Sequence, residues 1–554
     1  MVFAVNSCDY SAPNDDISLD FIEVYTRWLN AFRMEVGVRL IGVILRILNF
    51  LLAPFYWLRG HKDNPRLTPP PTLLMKSATE LAALILDGEL TSEELVKTSI
   101  KRIKEVNVYL NAVVEERYVA AIEDAKAADR EVAAARKNGT LHTLAEKKPL
   151  LGLPCTVKES CSLSGLSDSV GCLEKAGSRA REDGAAVALV RAAGAIPLAV
   201  SNTPELCLGW ESTNLLRGPT CNPYRRELTA GGSSGGEGAL LGSGASVFGV
   251  ASDIAGSIRV PAAFCGVFGH KPTPGVVPVN GHVPTLNDPN YARFLVVGPM
   301  ARRAEDLPLL LRVMAGSNCE QLRLQEPVDF KQLKVTYMTE AAFSPALLDV
   351  HRSIKEMIVK AADYLHKECG ATISQEKFKD LEDSVEMSVS IFFSMKDIPD
   401  MLQDPTNPKR SLSAWGEAWR HVAGGATRSL QALGFAWLAR TRLFIPARRR
   451  AHYAARAQRL LAELCQVLGS NGVLLYPVFT GPAHRHHQVF VRASGVLYTM
   501  LFNVLGLPAT AVPLGLHGGL PLAIQVPDIC SLSPCLFCAE GWPPPFPEPV
   551  SVHS

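Results

Sequence analysis

The chain has 554 residues, 47% of them hydrophobic and 20% charged, enough to bury a large core in one big α/β domain or several smaller ones. A formal net charge of +2 excludes the broad basic excess with which a nucleic-acid binder neutralises phosphates, so no nucleic-acid partner is expected. Thirteen scattered cysteines, an odd number in a chain too long to need disulfide staples, indicate a reduced interior.

Residues 1–36 form a polar N-terminal extension, and 37–58 follow as a mostly apolar stretch. As a helix that stretch would reach ~30 Å, the length of a transmembrane span. Arg39 and Arg46 interrupt it and Pro54 would kink or end it, so an interfacial membrane anchor competes with a full span. The acidic residues ahead of it, and the lack of a small-residue cleavage site behind it, separate it from a cleaved signal peptide. Basic residues on both flanks, Arg33 and Arg39 against Arg59 and Lys62, leave its orientation undecided. A Pro-rich linker over 59–74, with Pro69, Pro70 and Pro71 in succession, separates it from the remainder.

A single large domain is expected over 75–526. Apolar spacings of three to five from Ser77 to Val114, broken at Gly88, predict two helices, with Thr91 and Glu94 as a capping box opening the second. The stretch Glu115 to Asn138 reads as a polar helix stopped by Gly139. From Leu151 to Thr273, short apolar runs alternate with Gly/Ser/Pro loops and alanine-rich helices, as in the helix Ala185–Ala193 leading into the strand Ile196–Ser201. The theme returns after Leu333, with strands at Leu333–Tyr337 and Gly472–Tyr476, helices over Pro345–Lys367, and a helix and strand around Leu501–Val512. Such alternation predicts an α/β architecture around a buried, mixed sheet flanked by many helices. Within Leu412–Ala447 stand Trp415, Trp419 and Trp437, either a surface for lipid or ordinary core packing. The basic run Arg448–Arg450, with Arg440, Arg442, Arg456 and Arg459 around it, reads as a solvated or membrane-facing helix side. Neither the histidines His484, His486 and His487 nor the pair Cys535 and Cys538 has the spacing of a metal site, and no metal or other cofactor is expected.

Chemistry concentrates in Thr229–Gly238, TAGGSSGGEG, where five of ten residues are glycine and two are serine. Glycine at that density marks backbone brought close to something or held at unusual dihedrals. No GxxxxGK[ST] or GxGxxG pattern is present, which removes the phosphate loops. A G-x-S-x-G elbow around Ser234 is matched, but Tyr224–Leu228 is polar and charged where a buried strand should enter the turn. Downstream stands Ser252-Asp253-Ile254-Ala255-Gly256-Ser257-Ile258-Arg259-Val260-Pro261, and upstream Pro154-Cys155-Thr156-Val157-Lys158-Glu159.

Together these three segments resemble the amidase signature family, in which a lysine, a serine of the glycine loop and a serine 24 positions later form a triad; Ser233 and Ser257 have that separation. The resemblance spans Ser77 to Val526 and implies the amidase signature fold, with Ser257 as acyl-ester nucleophile, Ser233 as bridging proton relay and Lys158 as base. A serine hydroxyl needs such a base, and a buried neutral lysine can serve. The resemblance also implies a cis peptide bond before Ser233 and an oxyanion hole from the N–H groups of Ile254, Ala255, Gly256 and Ser257. Ala255 stands where many members have glycine. Asp253 and Arg259 are expected to pin the loop through charge-assisted hydrogen bonds, and Ser234 to orient Lys158 or cap a helix.

Further segments, FGHKPTPGVVP at Phe268–Pro278, GPMARRAEDL at Gly298–Leu307 and LGLPATAVPLG at Leu505–Gly515, are similar to the fatty-acid amide hydrolase branch of that family. That branch implies a lipid amide substrate, either a primary amide or an N-acylethanolamine, and an intracellular membrane location; a homodimer is left open. Three alternatives stand beside it: a silent membrane scaffold of the same fold, an amidotransferase-type amidase, and a Ser-His-Asp esterase built on Ser234. Residues 527–554 depart from the family, which usually continues into a long closing helix. Seven prolines in those 28 residues cannot form one, which points to an alternative transcript or a gene-model error.

Overall fold

The computed structural model describes residues 39–55 and 67–528, apart from 325, 397, 399, 405–406 and 441–446. The sequence features read in 1–36 and the Pro-rich tail, including Cys535 and Cys538, lie outside the described residues.

Eleven strands form one mixed sheet. In chain order they are β1 (Val113–Glu116), β2 (Pro154–Lys158), β3 (Ile196–Ser201), β4 (Phe248–Asp253), β5 (Phe268–Lys271), β6 (Val296–Ala301), β7 (Lys334–Tyr337), β8 (Thr372–Gln375), β9 (Gly472–Pro477), β10 (Ala509–His517) and β11 (Leu520–Pro527). Their spatial order is β1-β3-β2-β4-β6-β5-β10-β11-β9-β7-β8. Strand β2 runs parallel to both β3 and β4, and β7 runs parallel to β8 and β9, while β4–β6, β6–β5, β5–β10, β10–β11 and β11–β9 are antiparallel. Strands β2, β3, β4, β6 and β9 are buried along their whole length, as expected of mostly apolar strands covered on both faces.

Local signals account for much of the helix layer. Ser77 and Glu80 form a reciprocal capping box on Ala78–Asp87, and Gly88 ends that helix in the left-handed region. Thr91 caps Ser92–Leu110 through the Glu94 N–H. The segment expected to be helical from Glu115 begins instead as β1, with the helix at Tyr118–Asn138. Pairing with β3 takes residues 113–116, since Val113, Val114 and their neighbours complete the sheet edge. Downstream of Leu333, the helix begins at Arg352 and not at Pro345.

The apolar stretch near the N-terminus is helical over 39–55 and lies against the body. Arg39 donates to Glu386 at 2.9 Å and to Asp383 at 3.2 Å, Arg46 donates to Asp349 at 2.7 Å, and Gly42 packs directly on Ala346. Leu40, Ile47, Phe50 and Leu51 remain exposed. Among the described residues no helix is long and apolar enough to cross a membrane. The two arginines that interrupt the apolar run are spent on carboxylates of the body.

Trp415 and Trp419, on Ala414–Ala423, are 75% and 71% exposed, and Trp437, on Leu430–Arg440, is 49% exposed, which rules out core packing for this cluster. The basic helix Ala447–Leu468 directs Arg456 into an ion pair with Asp380 and Asp383, joined at Asp380 by Arg459, so this part of the basic run serves internal pairing.

Candidate active site

Strand β2 ends at Lys158, whose side chain is fully buried. Beside it lies β4, which leads into the loop 254–258, and between them comes the glycine loop ahead of the helix Gly235–Gly242. The glycines of that loop permit close approach. At Gly232, φ is +57° and a Cβ would stand 2.6 Å from Pro261 Cδ.

This packing brings the three expected residues together. Lys158 Nζ donates to Ser233 Oγ at 2.7 Å, and the Ser233 N–H donates to Ser257 Oγ at 3.2 Å. Two expectations change. The cis bond found among the described residues is Val283–Pro284, not Gly232–Ser233. The hydrogen bond from Ser233 to Ser257 comes from its backbone N–H. The Ser234 hydroxyl donates to the Ser252 carbonyl at 3.2 Å, not to Lys158.

Asp253 and Arg259 meet at the base of the loop. Asp253, wholly buried, accepts from the N–H groups of Gly256 at 2.7 Å and Ile258 at 3.1 Å, and from Arg259 Nε and Nη2 at 3.1 Å each. Burial alone would raise its pKa, but the Arg259 guanidinium, then Asn503 and the Gly256 N–H, hold it well below the usual carboxylate range. Arg259 is completed by Gln525 at 2.8 Å and Asn503 at 2.6 Å. The Gly256 N–H is therefore committed to Asp253. The N–H groups of Ile254, Ala255 and Ser257 have no protein acceptor among the described residues. Ala255 lies outside the left-handed region and tolerates its methyl, whereas Gly256, at φ +109°, could not carry one: its Cβ would fall 2.1 Å from Thr499 Oγ1.

Sequence reasoning missed three groups. Ser252 accepts from Lys158 Nζ at 2.8 Å, and His282, from the loop after β5, lies 2.9 Å from Ser252 Oγ. Glu237 is buried beneath the glycine loop, accepts from Thr156 at 2.6 Å and is pushed up to about 7 by burial. A carboxylate inside an otherwise apolar glycine-rich helix was the one linear signal for it. The histidine cluster is structural: His486 pairs with Glu211 at 2.5 Å and the His484 ring packs on Phe264 and Phe479.

A cavity of about 40 Å³ adjoins Ser233. Ser252, His282 and Tyr291 supply its polar lining, and apolar side chains including Phe392, Met395 and Phe435 the rest. Its mostly apolar walls match an apolar ligand whose polar end meets the serines.

The fold and this site define a hydrolase acting on carbon–nitrogen bonds other than peptide bonds, and the chain belongs to the amidase signature family: residues 94–527 match the family Amidase. Among its relatives, fatty-acid amide hydrolase 2-B of Danio rerio is 38% identical over 504 residues, covering 89% of this chain and 94% of that protein. Fatty-acid amide hydrolase 2 of Homo sapiens is 36% identical over 513 residues, covering 91% and 94%. Two solved structures show the same fold: a fatty acid amide hydrolase, with TM-score 0.66, 22% identity and 85% of each chain covered, and a bacterial aryl acylamidase, with TM-score 0.64, 21% identity, and 84% and 95% covered.

Proposed function

We propose that this enzyme hydrolyses fatty-acid amides through Ser257, Ser233 and Lys158, within an amidase domain over residues 75–526. The observation that carries the reading is the 2.7 Å contact from Lys158 to Ser233, next to Ser257 and beside a cavity with mostly apolar walls. The relatives named for fatty-acid amides support the substrate class.

In this mechanism the Ser257 hydroxyl turns from the Ser233 N–H to Ser233 Oγ and attacks the amide carbonyl. Its proton passes to Ser233 Oγ, which gives its own to Lys158. The developing oxyanion meets the N–H groups of Ile254, Ala255 and Ser257, donors in an environment where each is worth ~3 to 4 kcal/mol of barrier. Reversed traffic through Ser233 protonates the departing amine, without which an amide does not expel its leaving group. Water then repeats the sequence on the acyl-enzyme.

The exposed apolar residues of helix 39–55 and the three tryptophans support contact with a membrane surface. Phe435, on the helix carrying Trp437, lines the cavity, which offers a short path from a bilayer to the site.

The test is ammonia release from oleamide by the detergent-solubilised chain, run beside Ser257→Ala and Lys158→Ala. Turnover lost in the first and nearly lost in the second is expected. Full activity in Ser257→Ala overturns the nucleophile, and a wild-type chain that acylates a fluorophosphonate but ignores oleamide overturns the lipid amide.

A further inference from the structure

Lys158 is surrounded on the side away from Ser233 by a second chain of polar groups that the relay does not use. Its ammonium contacts Ser252 Oγ at 2.8 Å and the Ser252 carbonyl at 3.4 Å. Ser252 Oγ lies 2.9 Å from His282 Nε2, and Ser160 Oγ lies 3.1 Å from the same nitrogen. The other ring nitrogen, Nδ1, faces the Pro284 carbonyl and the Tyr291 hydroxyl, each at 3.3 Å, and Tyr291 also donates to that carbonyl. Ser252, His282 and Tyr291 are all buried.

Because a carbonyl can only accept, Nδ1 carries the imidazole hydrogen and Nε2 presents its lone pair to Ser252. Burial, then the nearby Lys158 charge, brings His282 down to about 3, so the ring is neutral wherever an enzyme works. Two hydroxyls face that lone pair, Ser252 at 2.9 Å and Ser160 at 3.1 Å; with the nearer Ser252 O–H directed to His282, its oxygen is left to accept from Lys158. A neutral lysine has two N–H bonds and one lone pair. The ammonium donates its third hydrogen to Ser233; in the neutral form that acts as base, with the two remaining hydrogens directed at Ser252 Oγ and the Ser252 carbonyl, the lone pair takes the place of that bond and faces Ser233, the direction from which the proton must arrive. Without an acceptor at position 282 the Ser252 hydroxyl is free to turn and donate to Lys158, competing with Ser233 for that lone pair.

We propose that His282 is a positioning residue for the base: acting through Ser252, it aims the lone pair of Lys158 at Ser233. This rests on the reading of Lys158 as base. The experiment compares His282→Leu, His282→Gln and Ser252→Ala in oleamide turnover and in the rate of Ser257 acylation by a fluorophosphonate, with the labelled fraction counting folded sites. In His282→Leu, kcat should fall about 10- to 30-fold with KM within about twofold, a share of the total acid–base contribution. His282→Gln, whose amide oxygen can accept from Ser252, should recover most of that loss. Ser252→Ala should match His282→Leu, and the double variant should be no slower than either. Ser252→Ala keeps the test open if the leucine variant fails to fold. Wild-type rates in His282→Leu or in Ser252→Ala, additive losses in the double variant, or a glutamine as slow as leucine overturn the proposal. Failure of the underlying reading is separate: Lys158→Ala would then be acylated at the wild-type rate.

Discussion

Replacing Asp253 with asparagine keeps the shape of the loop anchor and removes its charge. Six hydrogen bonds converge on this carboxylate, from Gly256, Ile258, three Arg259 nitrogens and Asn503. Asparagine offers one oxygen and a pair of donors, so the donors that now meet its nitrogen are turned away. Arg259 is 0% exposed and is left with neutral oxygens alone, those of Gln525, Asn503 and the new amide. Breaking a buried pair from one side leaves the other charge stranded, at a cost of about 3–5 kcal/mol. Because the folded Asp253 titrates below its unfolded value, its contribution is full above the unfolded pKa and is lost only as pH falls through the folded one. The deficit should therefore be the same from pH 5 to pH 9. Urea unfolding followed by tryptophan fluorescence reads the stability, and fluorophosphonate acylation of Ser257 under native conditions reads the loop, with a rate loss on the order of 100-fold expected as the oxyanion donors shift. A variant with the wild-type unfolding midpoint would refute the claim that this carboxylate neutralises Arg259.

Gly256→Ala should abolish acylation, since its Cβ meets Thr499 at φ +109°, while Ala255→Gly should change kcat less than about threefold; equal effects of the two would show that the loop has no such constraint. Glu237→Gln should flatten the pH dependence of stability. Native Glu237 keeps its proton to about 7 against an ordinary 4.5, so wild-type stability falls as pH rises through that window, by at most ~3 kcal/mol, and a fall that persists in the variant would contradict this. Arg39→Ala should cost about 1–2 kcal/mol by leaving the buried Glu386 without this partner, whereas Arg46→Ala, whose partner Asp349 is 82% exposed, should cost under about 1 kcal/mol. Limited proteolysis within 39–55 reads both, and equal protection in the two variants would argue against the difference.

The proximity of Lys158, Ser233 and Ser257 was legible because each sits in a short run whose composition is itself unusual, a strand end, a glycine loop and a loop rich in backbone donors. The strands Ile196–Ser201 and Gly472–Pro477 were legible for a similar reason, an apolar run bounded by glycine. Ser252 and His282 carry no such mark. Ser252 reaches Lys158 only because β4 lies parallel to β2 in a register that pairs Val250 with Val157, and no local pattern encodes that register. His282 arrives from a loop after β5, and its partners are 30 and 122 residues away in sequence. The helix 39–55 was visible as an apolar run, but its destination was not, because Asp349, Asp383 and Glu386 come from distant segments.

Strand β11 sits between β10 and β9, and it alone joins the seven strands on one side of the sheet to the three on the other. Of these eleven strands it is also the last to be synthesised. Until it arrives, β10 and β9 each present an open edge, so the growing chain must be kept from pairing those edges with neighbours, a task suited to chaperones. Gln525, from the middle of β11, accepts from Arg259 and donates to the carbonyls of Pro477 and Tyr498. The hydrolytic loop thus gains its final brace in the same event that welds the two halves, and an incomplete chain is spared from becoming a working hydrolase before its fold is finished.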